Sequence, residues 1–259
     1  MRTVAVLAAV LVLGYAALCL VMFLQQRSFI YMPGLTRADP AGTDFSIERD
    51  GATLRGWIVN PGRGAPVLYF GGNAESVEHN RGDFGAWFPN RSVYLLAYRG
   101  YGASDGAPRE KDLQADALAL FDHVQALHPG EPVSLIGRSL GSGVASHVAA
   151  HRPVDRLALI TPFDSMAAVG QAHFRWLPVR WLLRERFESA QALRAFDGPV
   201  LVLRAARDEV IPARNTDRLI AALPRPPKVL VVADAGHNDL SLAPEYGQAL
   251  SEFLDAGAD

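Results

Sequence analysis

The chain has 259 residues, of which 49% are hydrophobic and 20% charged, with a formal net charge of −2. That balance belongs to a folded globular protein and excludes a disordered one. Near-neutral charge, with no basic run and no aromatic-basic stripe, excludes a nucleic-acid-binding signature.

The first element is apolar. From Val4 to Leu24 the sequence VAVLAAVLVLGYAALCLVMFL carries no charged residue. At ~1.5 Å per residue it forms a helix about 31 Å long, enough to cross the hydrocarbon core of a bilayer. A cleaved signal peptide is the rival reading, but its apolar region is about 7–15 residues and ends at a small-x-small site. Here the run is longer and is followed by Gln25, Gln26 and Arg27. An uncleaved anchor over residues 1–27 is expected, with a connector over 28–43. Leu18 precedes Cys19 where a lipoprotein cysteine needs a small residue, and as the single cysteine Cys19 has no disulfide partner in the chain. Arg2 before the span and Arg27 and Arg37 after it leave the side of the membrane open.

The rest, residues 44–259, alternates between strand and helix patterns. FSIERDGATLRGWIV alternates on both sides of Asp50-Gly51, a two-residue hairpin signal. Short apolar runs follow at 66–70, 92–98, 132–137, 156–161, 199–205 and 228–234. Between them lie helical spacings, among them Leu113 to Leu127, 139–151, 213–222 and 241–255. Continuous apolar strands separated by helices predict an α/β fold, a mostly parallel sheet covered on both faces. In such sheets the working residues gather in loops at the carboxyl ends of the strands.

Those loops hold a constellation. Gly137 to Gly141 reads G-x-S-x-G directly after a strand, the pattern that lifts a serine out on a strained strand-to-helix corner. Alone, the pentapeptide also fits a glycine-rich turn. A serine hydroxyl needs a positioned base to be nucleophilic at neutral pH. Of the seven histidines, His79, His123, His128, His147, His151 and His173 fall within or at the ends of helical patterns. His147 and His151 are four apart, but no third metal ligand is evident beside them. His237, in ADAGHNDL, follows the last strand in a loop and is the natural base for Ser139. Asp208, in RAARDEVIP just past the strand 199–205, is the candidate acid that holds the imidazole; Asp234 and Asp239 are too local to His237. The backbone N–H groups of Leu140 and Asn73 are the candidate oxyanion donors, the latter in the loop YFGGNAES. Asn73 is also a candidate cap for a helix starting there.

Together QRSFIYMPG, FGGNAES, YRGYGASDGAP, GRSLGSGVA, ARDEVIP and AGHNDL resemble the α/β-hydrolase superfamily of serine hydrolases. More narrowly, the chain is similar to the N-terminally anchored group that includes Bem46-like proteins and mammalian depalmitoylating hydrolases. The matching stretches span residues 26 to about 240. The resemblance implies Ser139 as nucleophile, Asp208 as acid, His237 as base, and Asn73 and Leu140 as oxyanion donors. Gly71 departs from the pattern, since relatives often carry His before Gly-Asn, and so does Ala97, where many carry Asp. Neither departure touches the three side chains.

Residues 163–198 are expected to form a short cap or flap over the site. Phe163, Phe174, Trp176 and Trp181 are its candidate pocket residues. Packing of an ordinary crossover helix and a Trp/Arg face resting on a membrane are the other readings of that stretch. The function expected is hydrolysis of a small-molecule or lipid-like acyl ester or thioester, without metal or organic cofactor. A serine peptidase or amidase of the same fold, and a non-catalytic membrane-anchored binding protein, are the alternatives.

Overall fold

Helix α1 (Arg2–Ile30) opens the chain and contains the whole uncharged run. The computed structural model describes residues 1–256; the last three residues of the expected catalytic domain, 257–259, lie outside the described residues. Two 3-10 turns, Pro33–Leu35 and Pro40–Gly42, lead to the hairpin of β1 (Phe45–Arg49) and β2 (Ala52–Val59). The hairpin turns at Asp50-Gly51, where Gly51 has φ +69°, as the sequence alternation predicts. Next come β3 (Val67–Phe70), α2 (Arg81–Trp87), β4 (Val93–Leu96), α3 (Glu110–Leu127), β5 (Ser134–Arg138), α4 (Leu140–His151) and β6 (Leu157–Ile160). The short helices α5 (Met166–His173), α6 (Val179–Leu182) and α7 (Ser189–Ala192) lie in the 163–198 stretch expected as a cap. The chain continues through β7 (Val200–Ala205), α8 (Ala213–Ala222), β8 (Lys228–Val232) and α9 (Pro244–Asp255).

The eight strands form one sheet in the order β1-β2-β4-β3-β5-β6-β7-β8. β2 runs antiparallel to both β1 and β4, and every later pairing is parallel. The continuous apolar runs are explained by burial on both faces: every residue of β3, β4 and β6 is buried. Successive side chains point to opposite faces. Leu68 and Phe70 of β3 thus pack with Leu120 and Phe121 of α3 and Val144 and Val148 of α4. Val67 and Tyr69 pack with Phe84 of α2 and Leu250 and Phe253 of α9. This arrangement puts the loops after β3, β5, β7 and β8 at one edge.

One expected element is different. The helix predicted to start at Asn73 begins only at Arg81, after a 3-10 turn over Val77–Asn80 that carries His79. Ala74 has φ +59°, a left-handed conformation that a right-handed helix does not tolerate. Asn73 caps no helix, and the loop is instead held by its own side-chain bonds.

The glycines around Ser139 are fixed by backbone contact. A Cβ on Gly141 would overlap the carbonyl oxygen of Phe70, and one on Gly137 would lie 2.7 Å from the Ala145 Cβ. The start of α4 therefore lies directly against the end of β3. Gly141→Ala is expected to destabilise the fold by about 1–3 kcal/mol, the usual range for overpacking. Gly82→Ala in α2, where nothing lies within 4 Å, serves as the comparison. Chemical denaturation of both variants checks this; a Gly141→Ala protein as stable as Gly82→Ala would refute the contact.

Candidate active site

Ser139 is the corner residue between β5 and α4. Its backbone has φ +49° and ψ −114°, a strained conformation for a residue with a side chain. Its N–H donates to the Ile160 carbonyl at 2.8 Å, which ties the corner to β6. The strain turns the hydroxyl outward, and Oγ lies 3.0 Å from His237 Nε2. His237 Nδ1 is 2.8 Å from Asp208 Oδ2. With the proton on Nδ1, the ring donates to Asp208 and its Nε2 accepts from the serine hydroxyl.

Asp208 is oriented by the loop after β7. Its Oδ1 accepts from the N–H groups of Val210 (2.9 Å) and Ile211 (2.7 Å), which leaves Oδ2 facing the imidazole. The His237 and Asp208 side chains are 9% and 8% exposed. The other acids near His237 are engaged elsewhere: Asp239 accepts from the Gly236 N–H and Asp234 pairs with Arg207. His147 and His151 stack at 4.3 Å between ring centroids. Burial, and then the neighbouring His151, pull the His147 imidazole down to about 4. Among the described residues no group of three or more His, Cys, Asp or Glu side chains could hold a metal ion.

Leu140 is the first residue of α4, where the backbone N–H has no intrahelical acceptor. Among the described residues no backbone carbonyl accepts from the N–H of Leu140 or of Asn73. Both residues face the same cavity as Ser139. The loop that carries Asn73 is pinned residue by residue. Tyr98 Oη donates to the Gly71 carbonyl at 3.0 Å, and the Gly72 N–H donates to Glu75 at 2.6 Å. Asn73 Oδ1 accepts from the Tyr101 hydroxyl (2.6 Å) and from the Met32 N–H (3.0 Å).

Glu75 was not singled out by the sequence. Its carboxylate also accepts from Tyr69 Oη (2.6 Å), Asn80 Nδ2 (2.8 Å) and Arg138 Nη1 (3.0 Å). Burial pushes this carboxyl up. The Arg138 guanidinium and the Tyr69, Gly72 and Asn80 donors pull it further down, and it ends below its ordinary value. Because Arg138 directly precedes Ser139, the pair joins the Asn73 loop to the serine corner. The signal in the sequence is faint: an acid three residues after Gly72 and an arginine at the second position of G-x-S-x-G.

A cavity of about 350 Å3 opens at Ser139, and its walls are apolar. Of the four residues expected to form a pocket, Phe163 and Phe174 line this cavity; Trp176 and Trp181 do not. Both tryptophans turn outward, Trp181 being 89% exposed, while Leu177 of the turn before α6 and Val179 and Leu182 of α6 line the cavity instead. The sequence reading also missed Met22, Phe29 and Ile30 of α1, which form part of the wall.

The family model described as serine aminopeptidase, S33 matches residues 84–194, a stretch that includes Ser139 and stops short of Asp208 and His237. An uncharacterized protein of Mycobacterium tuberculosis is 36% identical over 252 residues, covering 91% of this chain and 89% of the relative. The lysophosphatidylserine lipase ABHD12 of Macaca fascicularis is 31% identical over 190 residues, 62% of this chain and 48% of its own length. Among solved structures, the Est1E protein of Butyrivibrio proteoclasticus bound to ferulic acid superposes with a TM-score of 0.66 at 17% identity, over 82% of this chain and 98% of the other. An esterase of Pyrococcus furiosus gives a TM-score of 0.63 at 20% identity, over 82% and 88%.

The Glu75–Arg138 pair makes a pH-dependent contribution to stability. A carboxyl held below its ordinary value stabilises the fold at pH values above about 4.3 and loses that contribution as the pH falls below it. Glu75→Gln leaves Arg138 without its counter-charge and is expected to cost about 3–5 kcal/mol at neutral pH. The same variant is expected to flatten the acid limb of the melting-temperature profile between about pH 5 and 3. Thermal melts of both proteins across that range check both effects. An unchanged neutral melting temperature would contradict the assignment.

Proposed function

The chain has the α/β-hydrolase fold, and on that premise we propose that it is a serine hydrolase of that superfamily, cleaving a carboxylic ester or thioester through an acyl-enzyme. The observation that carries the reading is the unbroken hydrogen-bonded series from Ser139 through His237 to Asp208. In the reaction Ser139 Oγ attacks the substrate carbonyl carbon while His237 Nε2 takes the hydroxyl proton. Asp208 holds the Nδ1–H tautomer and stabilises the imidazolium. The N–H groups of Asn73 and Leu140 receive the negative charge on the carbonyl oxygen. His237 then protonates the leaving alkoxide or thiolate, the acyl group stays on Ser139, and a water activated by the same imidazole releases the acid. The mechanism requires no metal and no organic cofactor.

The apolar cavity beside Ser139 supports an acyl chain as the group transferred and disfavours the peptidase reading. The name of the mammalian relative, a lysophosphatidylserine lipase, supports the same class of substrate. A non-catalytic binding role is disfavoured because a chain without chemistry to do has no use for the serine, histidine and aspartate held in series. The length and uncharged surface of α1 support an N-terminal anchor, and with it membership of the anchored Bem46-like group.

Ser139→Ala is expected to abolish ester hydrolysis and fluorophosphonate labelling, and His237→Ala to be about as damaging. Asp208→Asn is expected to lower kcat by as much as ~10⁴-fold, because the wrong tautomer faces the serine. Asp234→Asn and Asp239→Asn are expected to cost far less. Turnover of one activated ester by all five variants decides it: near-normal turnover by Asp208→Asn would reject that residue as the acid, and undiminished labelling of Ser139→Ala would reject the nucleophile. For the anchor, the protein with its N-terminus intact is expected in carbonate-washed membranes; a product cleaved after Leu24 would reject it.

A further inference from the structure

The cavity at Ser139 is closed on one side by the helix proposed as the anchor. Met22, Phe29 and Ile30 of α1 face Phe163, Leu177 and Leu182 across it. Polar contacts hold α1 in that place. Gln26 is 8% exposed; its Oε1 accepts from the Arg184 N–H at 2.6 Å and its Nε2 donates to the Leu182 carbonyl at 3.4 Å. Arg27 and Tyr31 both donate to Glu185, at 2.8 and 2.6 Å. The Arg184 guanidinium lies 4.1 Å over the Phe23 ring, and Tyr15 Oη donates to the Trp176 carbonyl at 2.8 Å.

Direction along the helix follows from its two ends. Met32 is bonded to Asn73, next to the serine corner. Met22 lies eight residues before Ile30, about 12 Å further along the axis at ~1.5 Å per residue. Met22 belongs to the uncharged run Val4–Leu24, and Tyr15, which meets the cap, stands at its middle. The cap therefore descends beside the part of α1 that a bilayer would surround. Its outer surface fits that depth. Trp176 and Trp181 are 60% and 89% exposed, flanked by Arg175 and Arg180, which form no ion pair with a carboxylate among the described residues. At that depth exposed tryptophan packs against lipid, and the long cationic side chains reach back from it toward the headgroups.

We propose that α1 and the cap form an acyl-chain channel whose far end, at Met22, faces the lipid leaflet. The substrate is then a membrane-borne acyl ester or thioester. Its chain slides from the leaflet between α1 and α6 until the carbonyl reaches Ser139, and Met22, Phe29 and Ile30 contact the chain and favour long acyl groups over short ones. This inference rests on the serine-hydrolase and anchor readings. It makes the anchor part of the active site.

The test uses the full chain in phosphatidylcholine nanodiscs, with p-nitrophenyl butyrate and p-nitrophenyl hexadecanoate as substrates. Met22→Trp, which blocks the far end, is expected to lower the hexadecanoate-to-butyrate ratio of kcat/KM at least tenfold. Met22→Ala, which widens the far end, is expected to raise the hexadecanoate-to-butyrate ratio more than twofold. Fluorophosphonate labelling of each variant reports an intact serine. Ratios within twofold of wild type in both labelled variants overturn the channel and leave the hydrolase reading standing; an unlabelled, inert wild type overturns both. A phosphatidylcholine with a photoreactive acyl chain, incubated with Ser139→Ala, is expected to cross-link to residues 22–30 and 174–183. Cross-links confined to residues 4–14 overturn access from the leaflet.

Discussion

The buried carboxylate of Glu75 is the contact on which the geometry around Ser139 depends. It accepts from a backbone N–H, a phenol, an amide and a guanidinium, and those donors come from two strands and the loop between the sheet and α2. A carboxylate so buried is stable only when every lone pair finds a donor. The four donors are therefore held as firmly as the charge requires. One of them, Gly72, carries the loop that presents Asn73; another, Arg138, is the residue before the serine. The contact of Gly141 with the Phe70 carbonyl brings the same two segments together from below. In the proposed reaction the distance between Ser139 Oγ and the N–H groups of Asn73 and Leu140 is thus set by packing and a buried ion pair, before any substrate arrives. Donors fixed in advance need no reorganisation as charge develops on the substrate oxygen, which is the condition for strong electrostatic stabilisation.

Much of this was legible in the sequence because it depends on local pattern. Strands buried on both faces read as unbroken apolar runs, and β3, β4 and β6 do. Ser139, Asp208 and His237 could be picked out because each interrupts the pattern just after a strand. Glu75 and Arg138 could not, since their relation spans 63 residues and no periodicity links them. Asn73 looked like a helix cap because a polar residue after two glycines is a usual start signal; the left-handed backbone at Ala74 has no mark in the sequence. The cap aromatics show a third limit. Composition marks a stretch as apolar without saying which side chains turn inward, and Phe174 and Trp176 ended on opposite faces.

The same limit hides the inner face of α1. A helix that is apolar all round does not declare which stripe meets protein and which meets lipid. Met22 lines the cavity while Val10 and Leu13 are bare, and nothing in their chemistry separates them. The polar residues do. Gln26, Arg27 and Tyr31 recur on the side of α1 that meets the cap, and all three are spent on partners between Leu182 and Glu185. A glutamine just past an apolar run reads as the end of a membrane span; here it is a clamp.

That clamp changes what the connector can be. Residues expected as a connector begin within the packed region, with Tyr31 4% and Thr36 1% exposed. Glu185 receives Arg27 from α1, Tyr31 just after it and the backbone N–H of Glu110 at the start of α3, while Glu110 itself accepts from the N–H groups of Arg186 and Phe187. The first helix, the cap and the sheet-covering helix α3 are joined through two neighbouring carboxylates. A helix held that way transmits its orientation to the domain. Under the proposed anchoring the mouth of the cavity has a fixed height and a fixed facing relative to the bilayer, set by the same residues that close its wall. On that reading, preference for long chains and access from the leaflet are one structural property, because both are decided where α1 meets α6.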